Sequence, residues 1–381
     1  MNDLLRFITD QFAHGGAFVE AELCKSGHIN DTYMVRCARG SNAVRYIVQR
    51  INHGVFRHPE NLMENIGRVT KHVRARLERH GAADVDRRVL TLVPRRDSDG
   101  VVHVARGSGD ETETYLYHDE RGGFWRMYLY IEHSVAYDVA RNAEHVYQAA
   151  KAFGRFLRDV QDLPAPRLHD TIPDFHNTPQ RFAQLEDALQ RDPRNRAAAA
   201  AKEIVFALQR KQITPVLVDL LASGELSERT THNDTKINNV MMDDTSGEGV
   251  CVIDLDTVMP GLVLYDFGDC VRSTCSRAAE DERDLAKVQL DCAYFEAIAR
   301  GFLEEIRPLM SRVEIDLLPF SARLITFEIG IRFLADYLNG DVYFKTDAPD
   351  HNLVRARTQF KLVELIELHE KALLDIVARY T

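Results

Sequence analysis

Several features that define large classes of proteins are absent from this sequence of 381 residues. No stretch approaches the roughly 20 apolar residues that a membrane-spanning helix needs. The first residues lack a basic segment followed by an apolar core, so we predict no secretory signal. Lys and Arg number 48 against 58 Asp and Glu, and the net charge of -10 argues against a nucleic-acid partner.

Paired cysteines are also absent. The six cysteines are scattered and form no C-x-x-C pair, so neither a disulfide framework nor a zinc site is indicated. We therefore predict a cytoplasmic protein with reduced thiols and with neither a nucleic-acid nor a membrane partner. Nothing in the pattern demands a dimer, so we expect a monomer.

The chain is long enough for two lobes, and 45% of its residues are hydrophobic, which is enough to form a core in each. We predict an α+β, bilobal, protein-kinase-like fold. Residues 1–131 would form a small ATP-binding lobe of antiparallel sheet plus one helix, residues 132–137 a hinge, and residues 138–381 a large, mostly helical lobe.

The periodicity of apolar residues locates the elements of these lobes. A helix is predicted from Pro59 to about Arg79, and another from Asp138 to about Val160, each with apolar residues at helical spacing. The pattern is again nearly all helical from residue 280 to the end. The predicted strands are 18–24, 32–38, 44–51, 88–93, 101–105, 114–117, 124–131 and 250–254.

The most informative segment is THNDTKINNV, residues 231–240. It contains the pattern H-x-D-x-K-x-x-N, and Asp254 follows Asp234 by twenty positions at the end of an apolar strand. Phosphoryl transfer needs a carboxylate beside the acceptor hydroxyl, oxygen ligands for Mg²⁺ and a cation that offsets the phosphoryl charge. Asp234 can face the acceptor, Lys236 can reach the transferred phosphoryl group, and Asn239 with Asp254 can bind Mg²⁺.

The same residue types often have structural roles, because an aspartate in a loop more often caps a helix or satisfies a hydrogen bond. The full pattern is more specific than an isolated H-x-D, since four polar types at fixed offsets lead into an apolar strand. We predict that His232 braces the loop. Asp256 would stabilise its loop, support the metal site or contact the substrate, and Asp266 and Asp269 would serve as helix caps and loop anchors.

Six segments match a known group of proteins: SGHINDTY (26–33), YIVQRINHGVF (46–56), THNDTKINNV (231–240), VIDLDTVMPGLVLYDFGD (252–269), FEIGIRFLADYLNGDVYFK (327–345) and RARTQFKL (355–362). The chain resembles the aminoglycoside phosphotransferase and choline kinase superfamily, which shares the bilobal protein-kinase fold. Within it the chain is most similar to the bacterial N-acetylhexosamine 1-kinases. The resemblance implies that Asp234 is the catalytic base, that Asn239 and Asp254 bind Mg²⁺, and that Arg332 and Tyr343 contact the sugar.

Two elements common in kinases are missing from the first lobe. There is no G-x-G-x-x-G loop, and residues 26–30 stand in its place. The third predicted strand has no lysine to hold the α- and β-phosphates, and either Arg50 or Gln49 could occupy that position. Tyr130 and Ile131, at the end of the last strand of this lobe, are predicted to bind adenine.

We predict an ATP-dependent kinase that phosphorylates the anomeric (C1) hydroxyl of N-acetylglucosamine or N-acetylgalactosamine. The alternative within the class is a kinase for choline, ethanolamine, homoserine or an aminoglycoside; a cationic acceptor would need acids or an aromatic cage. A glycan hydrolase is disfavoured, because a C/S-x-P-x-R context and a G-x-S-x-G elbow are both absent. A catalytically dead binding module is disfavoured by the intact Asp234, Asn239 and Asp254. Residues 175–178 could border the sugar site, although an ordered loop is favoured.

Overall fold

A computed structural model describes residues 2–24, 29–96, 104–106 and 111–381 of the chain. Within these ranges no helix is long and apolar enough to cross a membrane. All six cysteines lie in them, and each is a free thiol. Residues 26–28, part of the segment predicted to stand in place of a glycine-rich loop, fall outside the described residues, as do 101–103 of a predicted strand.

The chain divides into two compact units. The first break follows Ser134, inside the segment where the sequence predicts a hinge. Residues 163–172 and 251–258, which the sequence assigns to the large lobe, pack in the first unit instead. The first unit comprises Met1–Ser134, Leu163–Ile172 and Cys251–Val258, and the second comprises Val135–Asp162, Pro173–Val250 and Met259–Thr381.

In its described residues the first unit combines strands with two helices and a single helical turn. One helix begins at Pro59, where the fixed φ of proline suits the first helical position, as the sequence predicts. The elements are α1 (Asn2–Thr9), β1 (Ala17–Leu23), β2 (Asp31–Arg39), β3 (Asn42–Ile51), α2 (Pro59–Arg79), α3 (Val85–Arg88), β4 (Val104–Arg106), β5 (Glu111–Glu113), β6 (Tyr117–His118) and β7 (Phe124–Leu129).

An antiparallel sheet of order β1-β2-β3-β7-β6 forms the centre of this unit. Its strands alternate in side-chain direction, so one face packs on α1 to form the core. Leu5 and Ile8 of α1 contact a cluster that includes Val48 and Trp125. The predicted antiparallel sheet is confirmed. The helix α1 was not predicted from the sequence, because its apolar stripe is only two turns long.

The predicted strand 88–93 is wrong. Residues Val85–Arg88 form a helical turn, and Leu92 makes only an isolated bridge to Tyr128 of β7. Pro94 follows directly and has no N–H with which to continue a ladder. The predicted strand 114–117 is mostly irregular as well, because β5 ends at Glu113 and β6 starts at Tyr117.

The second unit is mostly helical, as predicted. Two short strands, β8 (Ser134–Val135) and β11 (Gly249–Val252), each contain a boundary between the units. The remaining elements are α4 (Ala143–Val160), α5 (Thr178–Arg191), α6 (Ala201–Leu208), α7 (Val216–Ala222), β9 (Arg229–Thr231), β10 (Val240–Asp243), β12 (Met259–Gly261), α8 (Val263–Thr274), α9 (Cys292–Ile306), α10 (Arg312–Asp316), α11 (Leu318–Asn339) and α12 (His351–Ala378).

The helix α11 organises this unit, since it packs against α5, α8 and α12. It is buried along most of its length, in agreement with its apolar character on every side. Gly268 of α8 allows the close approach, because a Cβ there would lie 2.6 Å from the carbonyl oxygen of Ser321 on α11. Antiparallel pairing of β9 with β12 then places the loop after Thr231 beside the start of α8.

Candidate functional site

The loop that follows β9 is held in shape by Asp266. Asn233 has a left-handed backbone with φ of 64°, which turns the chain toward Asp234. The two carboxylate oxygens of Asp266 accept hydrogen bonds from the backbone N–H groups of His232 (2.8 Å) and Asn233 (2.7 Å). Burial raises the pKa of Asp266 to about 7, although these donors favour the charged form. Asp266 and Asp269 both lie inside α8, so neither caps it, and Asp266 anchors the loop instead.

Asp234 is surrounded by donors and positive charge. Nζ of Lys236 lies 2.8 Å from Oδ1, and Nδ2 of Asn239 donates to Oδ2 (3.2 Å) and to the backbone oxygen (2.8 Å). Burial alone would raise the pKa of Asp234, but Lys236, with His232 and Arg272, outweighs it and holds that pKa below its usual range. The carboxylate is therefore ionised at neutral pH, which suits a group that orients an acceptor hydroxyl and receives its proton.

Lys236 is the matching cation. Burial would lower the pKa of its ammonium group, but Asp234 and Asp269 outweigh that effect and raise it. The side chain is 41% exposed, so it can reach a phosphoryl group while it stays charged. The structure thus brings the predicted Asp234, Lys236 and Asn239 together within one loop.

His232 is fully buried beneath this loop. Its ring packs edge-on against Phe153 (5.3 Å between centroids) and Phe156 (5.8 Å) of α4. Nδ1 accepts a long hydrogen bond from the backbone N–H of Asp234 (3.3 Å). These contacts support the prediction that His232 braces the loop.

The predicted metal ligands have the chemistry that Mg²⁺ prefers. Because Nδ2 of Asn239 donates its hydrogen bonds to Asp234, the side-chain oxygen of Asn239 is the atom that can face a cation. Asp254 lies in the first unit, two residues after β11, with an exposed side chain and a left-handed backbone (φ 57°). In the described part of the chain no group of three or more His, Cys, Asp or Glu could hold a metal, but Mg²⁺ commonly binds one or two protein ligands plus water and phosphate.

A buried pair links α11 to the same loop. Nδ1 of His176 lies 2.8 Å from Glu328, and Nε2 lies 3.2 Å from the carbonyl oxygen of Asn233. Thr178 donates a further hydrogen bond to Glu328 (2.6 Å). Burial alone would raise the pKa of Glu328, but His176 outweighs it and holds that pKa below its usual range. His176 therefore connects the residue before Asp234 with α11.

Arg332, one helical turn after Glu328, is enclosed by aromatic rings. Its guanidinium carbon lies 5.4 Å from the ring centroid of Phe175, 5.8 Å from that of Tyr343 and 5.6 Å from that of Phe344. Tyr343 remains 54% exposed. The structure thus brings the two predicted sugar contacts together and adds Phe175 and Phe344 to them, in a cluster that we call the Arg332 cage.

Sequence reasoning missed most of the support for this cage. Asp336 accepts hydrogen bonds from the backbone N–H groups of Val342, Tyr343 and Phe344 at 2.9–3.0 Å, which fixes the turn after α11. The spacing of Glu328 and Arg332 on one helical face was an available signal. Nothing in one sequence pairs residues 175–178 with α11, and for this reason the sequence favours only an ordered loop there.

In the first unit, β3 presents two different faces. Gln49 is opposite Arg126 of β7, and Arg50 is opposite Trp125, so Gln49 and Arg50 point to opposite sides of the sheet. Arg50 is exposed at the edge of the α1-facing core. Its predicted nucleotide contact remains a prediction.

Tyr130 and Ile131, predicted to contact adenine, directly follow β7. The guanidinium of Arg45 stacks on the ring of Tyr130 at 4.1 Å and pairs with Glu132. Ile131 is buried, and its carbonyl oxygen accepts a hydrogen bond from Ser134 (2.8 Å). These contacts hold the segment in place, and its role toward adenine stays a prediction.

Solved structures show which class of fold this is. A microcompartment-associated aminopropanol kinase has a TM-score of 0.52 and 15% identity, covering 100% of this chain and 99% of the other. A spectinomycin phosphotransferase in complex with ADP and spectinomycin has a TM-score of 0.53 and 12% identity, covering 97% and 99%. A choline kinase from Cryptosporidium parvum has a TM-score of 0.51 and 15% identity, covering 95% and 93%. The fold is therefore protein-kinase-like.

The family follows from the sequence itself. Residues 20–302 match the phosphotransferase enzyme family, APH, so the chain belongs to that family. The matched region includes the loop that carries Asp234, Lys236 and Asn239, and also Asp254.

Proposed function

We propose that this phosphotransferase is an ATP- and Mg²⁺-dependent kinase whose acceptor is a small molecule, an N-acetylhexosamine, and that it phosphorylates the anomeric hydroxyl of this sugar. The products would be the sugar 1-phosphate and ADP. The single observation that carries the choice of acceptor is the Arg332 cage, which lies one helical turn from the His176–Glu328 pair at the Asp234 loop.

The cage suits a neutral, hydroxylated acceptor. Arginine has five N–H donors and no acceptor, so it can bind sugar or acetamido oxygens. Phe175 and Tyr343 provide flat apolar faces on which the C–H side of a sugar ring can pack. An N-acetylhexosamine offers both kinds of surface.

Choline, ethanolamine and aminoglycosides fit the same region less well, because each is a cation. Burial lowers the pKa of Arg181, and the positive charge of Arg332 lowers it further. Glu328 is the acid at this position, but it is fully buried and bonded to His176 and Thr178. A cationic acceptor would therefore meet the positive charge of Arg332 and Arg181, and the aromatic rings that could surround it already contact the guanidinium of Arg332.

The residues of the loop take complementary roles in the proposed reaction. Asp234 orients the C1 hydroxyl and receives its proton as the new O–P bond forms and the bond between the γ-phosphorus and ADP breaks. Lys236 offsets negative charge on the transferred phosphoryl group. Asn239 and Asp254 would hold Mg²⁺, which supplies charge neutralisation to the phosphates, and Tyr130 with Ile131 would contact adenine.

An ADP-release assay tests this proposal. The panel contains N-acetylglucosamine, N-acetylgalactosamine, glucose, galactose, choline, ethanolamine, homoserine and kanamycin, each with and without Mg²⁺, and phosphorus NMR locates the phosphate. We expect the highest kcat/KM with an N-acetylhexosamine and an anomeric phosphate. A preference for any of the amines would contradict the acceptor assignment, and absence of turnover with every compound would favour a binding module.

A further inference from the structure

The first unit contains a buried arginine for which the predicted site has no role. Arg126 of β7 is opposite Gln49, so both side chains lie on the sheet face away from the α1 core. The side chain of Arg126 is 1% exposed. Its Nε donates to Oε1 of Gln49 (2.9 Å), and its Nη1 lies 2.5 Å from Oδ1 of Asp256.

The partner carboxylate sits in the turn that carries a predicted metal ligand. Asp256 follows Asp254 by two residues and is also buried. Its second oxygen accepts a hydrogen bond from Nδ2 of Asn30 (2.6 Å), and its backbone oxygen accepts one from Thr171 (2.8 Å). The turn is therefore anchored independently of Arg126.

The ion pair itself is close and buried. Nη1 of Arg126 lies 2.5 Å from Oδ1 of Asp256, and the two side chains are 1% and 3% exposed. A buried ion pair overcomes the cost of desolvation only when hydrogen bonds complete both groups. Gln49 and Asp256 supply such contacts to Arg126 in this structure. The planar fork of a guanidinium also matches a phosphate, so a phosphate is an alternative anionic partner for Arg126.

We propose that Arg126 is the small-lobe cation of the nucleotide site and binds phosphate oxygens of the nucleotide in place of the missing third-strand lysine. In the nucleotide-free protein Asp256 occupies the position of the phosphate. When a phosphate displaces it, Asp256 keeps its hydrogen bond from Asn30, so the exchange does not leave a bare buried charge. Arg50, on the opposite face of β3, has no part in this contact. The inference rests on the proposed use of a nucleotide.

Binding calorimetry tests the proposal without turnover. Adenosine, AMP, ADP and ATP are titrated in Mg²⁺-free buffer into the full chain and into Arg126→Met and Arg126→Lys. We expect Arg126→Met to weaken ADP and ATP about tenfold or more, the worth of a hydrogen bond to a charged group, and to leave adenosine within about twofold. Arg126→Lys should be intermediate for ADP and ATP.

Two further variants separate phosphate binding from bracing. Asp256→Asn should bind ADP at least as tightly as the unmodified protein, because a competing carboxylate charge is gone. Arg126→Met/Asp256→Asn removes both charges, so it avoids an unpaired buried charge and should still lose ADP affinity with normal adenosine affinity. Arg36→Met removes an exposed ion pair with Glu20 (2.7 Å) in the same sheet and serves as the matched control.

The outcomes are distinguishable. Unchanged ADP affinity in both Arg126→Met proteins, or an equal loss for adenosine and ADP, would overturn the phosphate contact. Loss of ADP affinity in Asp256→Asn would show that Arg126 only braces the turn, which also overturns it. If the unmodified protein bound neither adenosine nor ADP, the proposed nucleotide dependence would fall first and this inference with it.

Discussion

Asp234 can act as a base because the donors and positive charges around it keep its carboxylate ionised. Replacing it with Asn keeps the shape of the side chain but removes the charge that receives the proton. Asp234→Asn should lower kcat by about 10²–10⁴-fold, the usual contribution of general base catalysis, while ADP binding is retained. Steady-state kinetics and calorimetry measure the two effects.

The matched control for that variant is Asp187→Asn, which removes an exposed carboxylate paired with Arg191 on α5. It should leave both quantities unchanged. Turnover near that of the unmodified protein in Asp234→Asn would remove Asp234 from the role of base.

Lys236 should act on the pH dependence as well as on the rate. Its charge is the main reason that the pKa of Asp234 is lowered despite burial. In Lys236→Met burial is less opposed, so the pKa of Asp234 should rise and the acid limb of the kcat/KM profile should move to higher pH. Loss of a donor to the developing charge should also lower kcat, by about 10²–10³-fold.

The sign of the shift is the decisive measurement for Lys236. A raised pKa means that Asp234 takes up a proton at a higher pH, so activity is lost earlier as the pH falls. Lys236→Arg keeps the charge and should retain an acid limb close to that of the unmodified enzyme. An acid limb that stays in place in Lys236→Met would show that Lys236 does not set the protonation state of Asp234.

At the scale of elements, α11 and the 173–178 segment depend on the buried His176–Glu328 pair. His176→Ala leaves Glu328 in the interior with only Thr178 as its hydrogen-bond donor among the contacts described. Removing one partner of a buried pair typically costs about 3–5 kcal/mol. We therefore expect a comparable fall in the free energy of unfolding, measured by urea denaturation.

His169 provides the matched control, because it makes a similar contact with Glu64 (3.0 Å) on the surface. An exposed pair typically contributes about 0–1 kcal/mol, so His169→Ala should change stability little. Equal effects of the two substitutions on the free energy of unfolding would mean that burial does not increase the contribution of the His176–Glu328 pair to stability.

An element could be predicted from the sequence when the residues that cause it lie within the element itself. α2 follows from Pro59 and a long apolar stripe, both visible in sequence. The strand predicted at 88–93 does not form, because Pro94 has no N–H with which to continue the pairing. Only an isolated bridge between Leu92 and Tyr128 of β7 is present. In the same way the spacing within 231–240 predicts that Asp234 and Asn239 lie close together. The contacts of Arg126 and His176 join segments that are distant in the chain, so no local pattern predicts them.

At the scale of the whole molecule, the two units hold different groups of candidate residues. Tyr130, Ile131 and Arg126 belong to the first unit, and Arg332 and Tyr343 belong to the second. If the proposed function is correct, substitutions should separate recognition of the nucleotide from recognition of the acceptor. Kinetic constants measured for each substrate in turn can show this separation.

Arg332→Ala is the sharpest such substitution. It removes the donors at the centre of the Arg332 cage and should lower kcat/KM for the N-acetylhexosamine about tenfold or more, since a hydrogen bond to a charged group contributes about 1.5–3 kcal/mol. The KM for ATP should be nearly unchanged. Arg323→Ala is the control, because Arg323 lies on the same helix and likewise stacks on an aromatic ring, that of Phe320 at 5.0 Å. Unaltered sugar kinetics in Arg332→Ala, or an equal rise in the KM for ATP, would contradict a sugar-binding cage in the second unit.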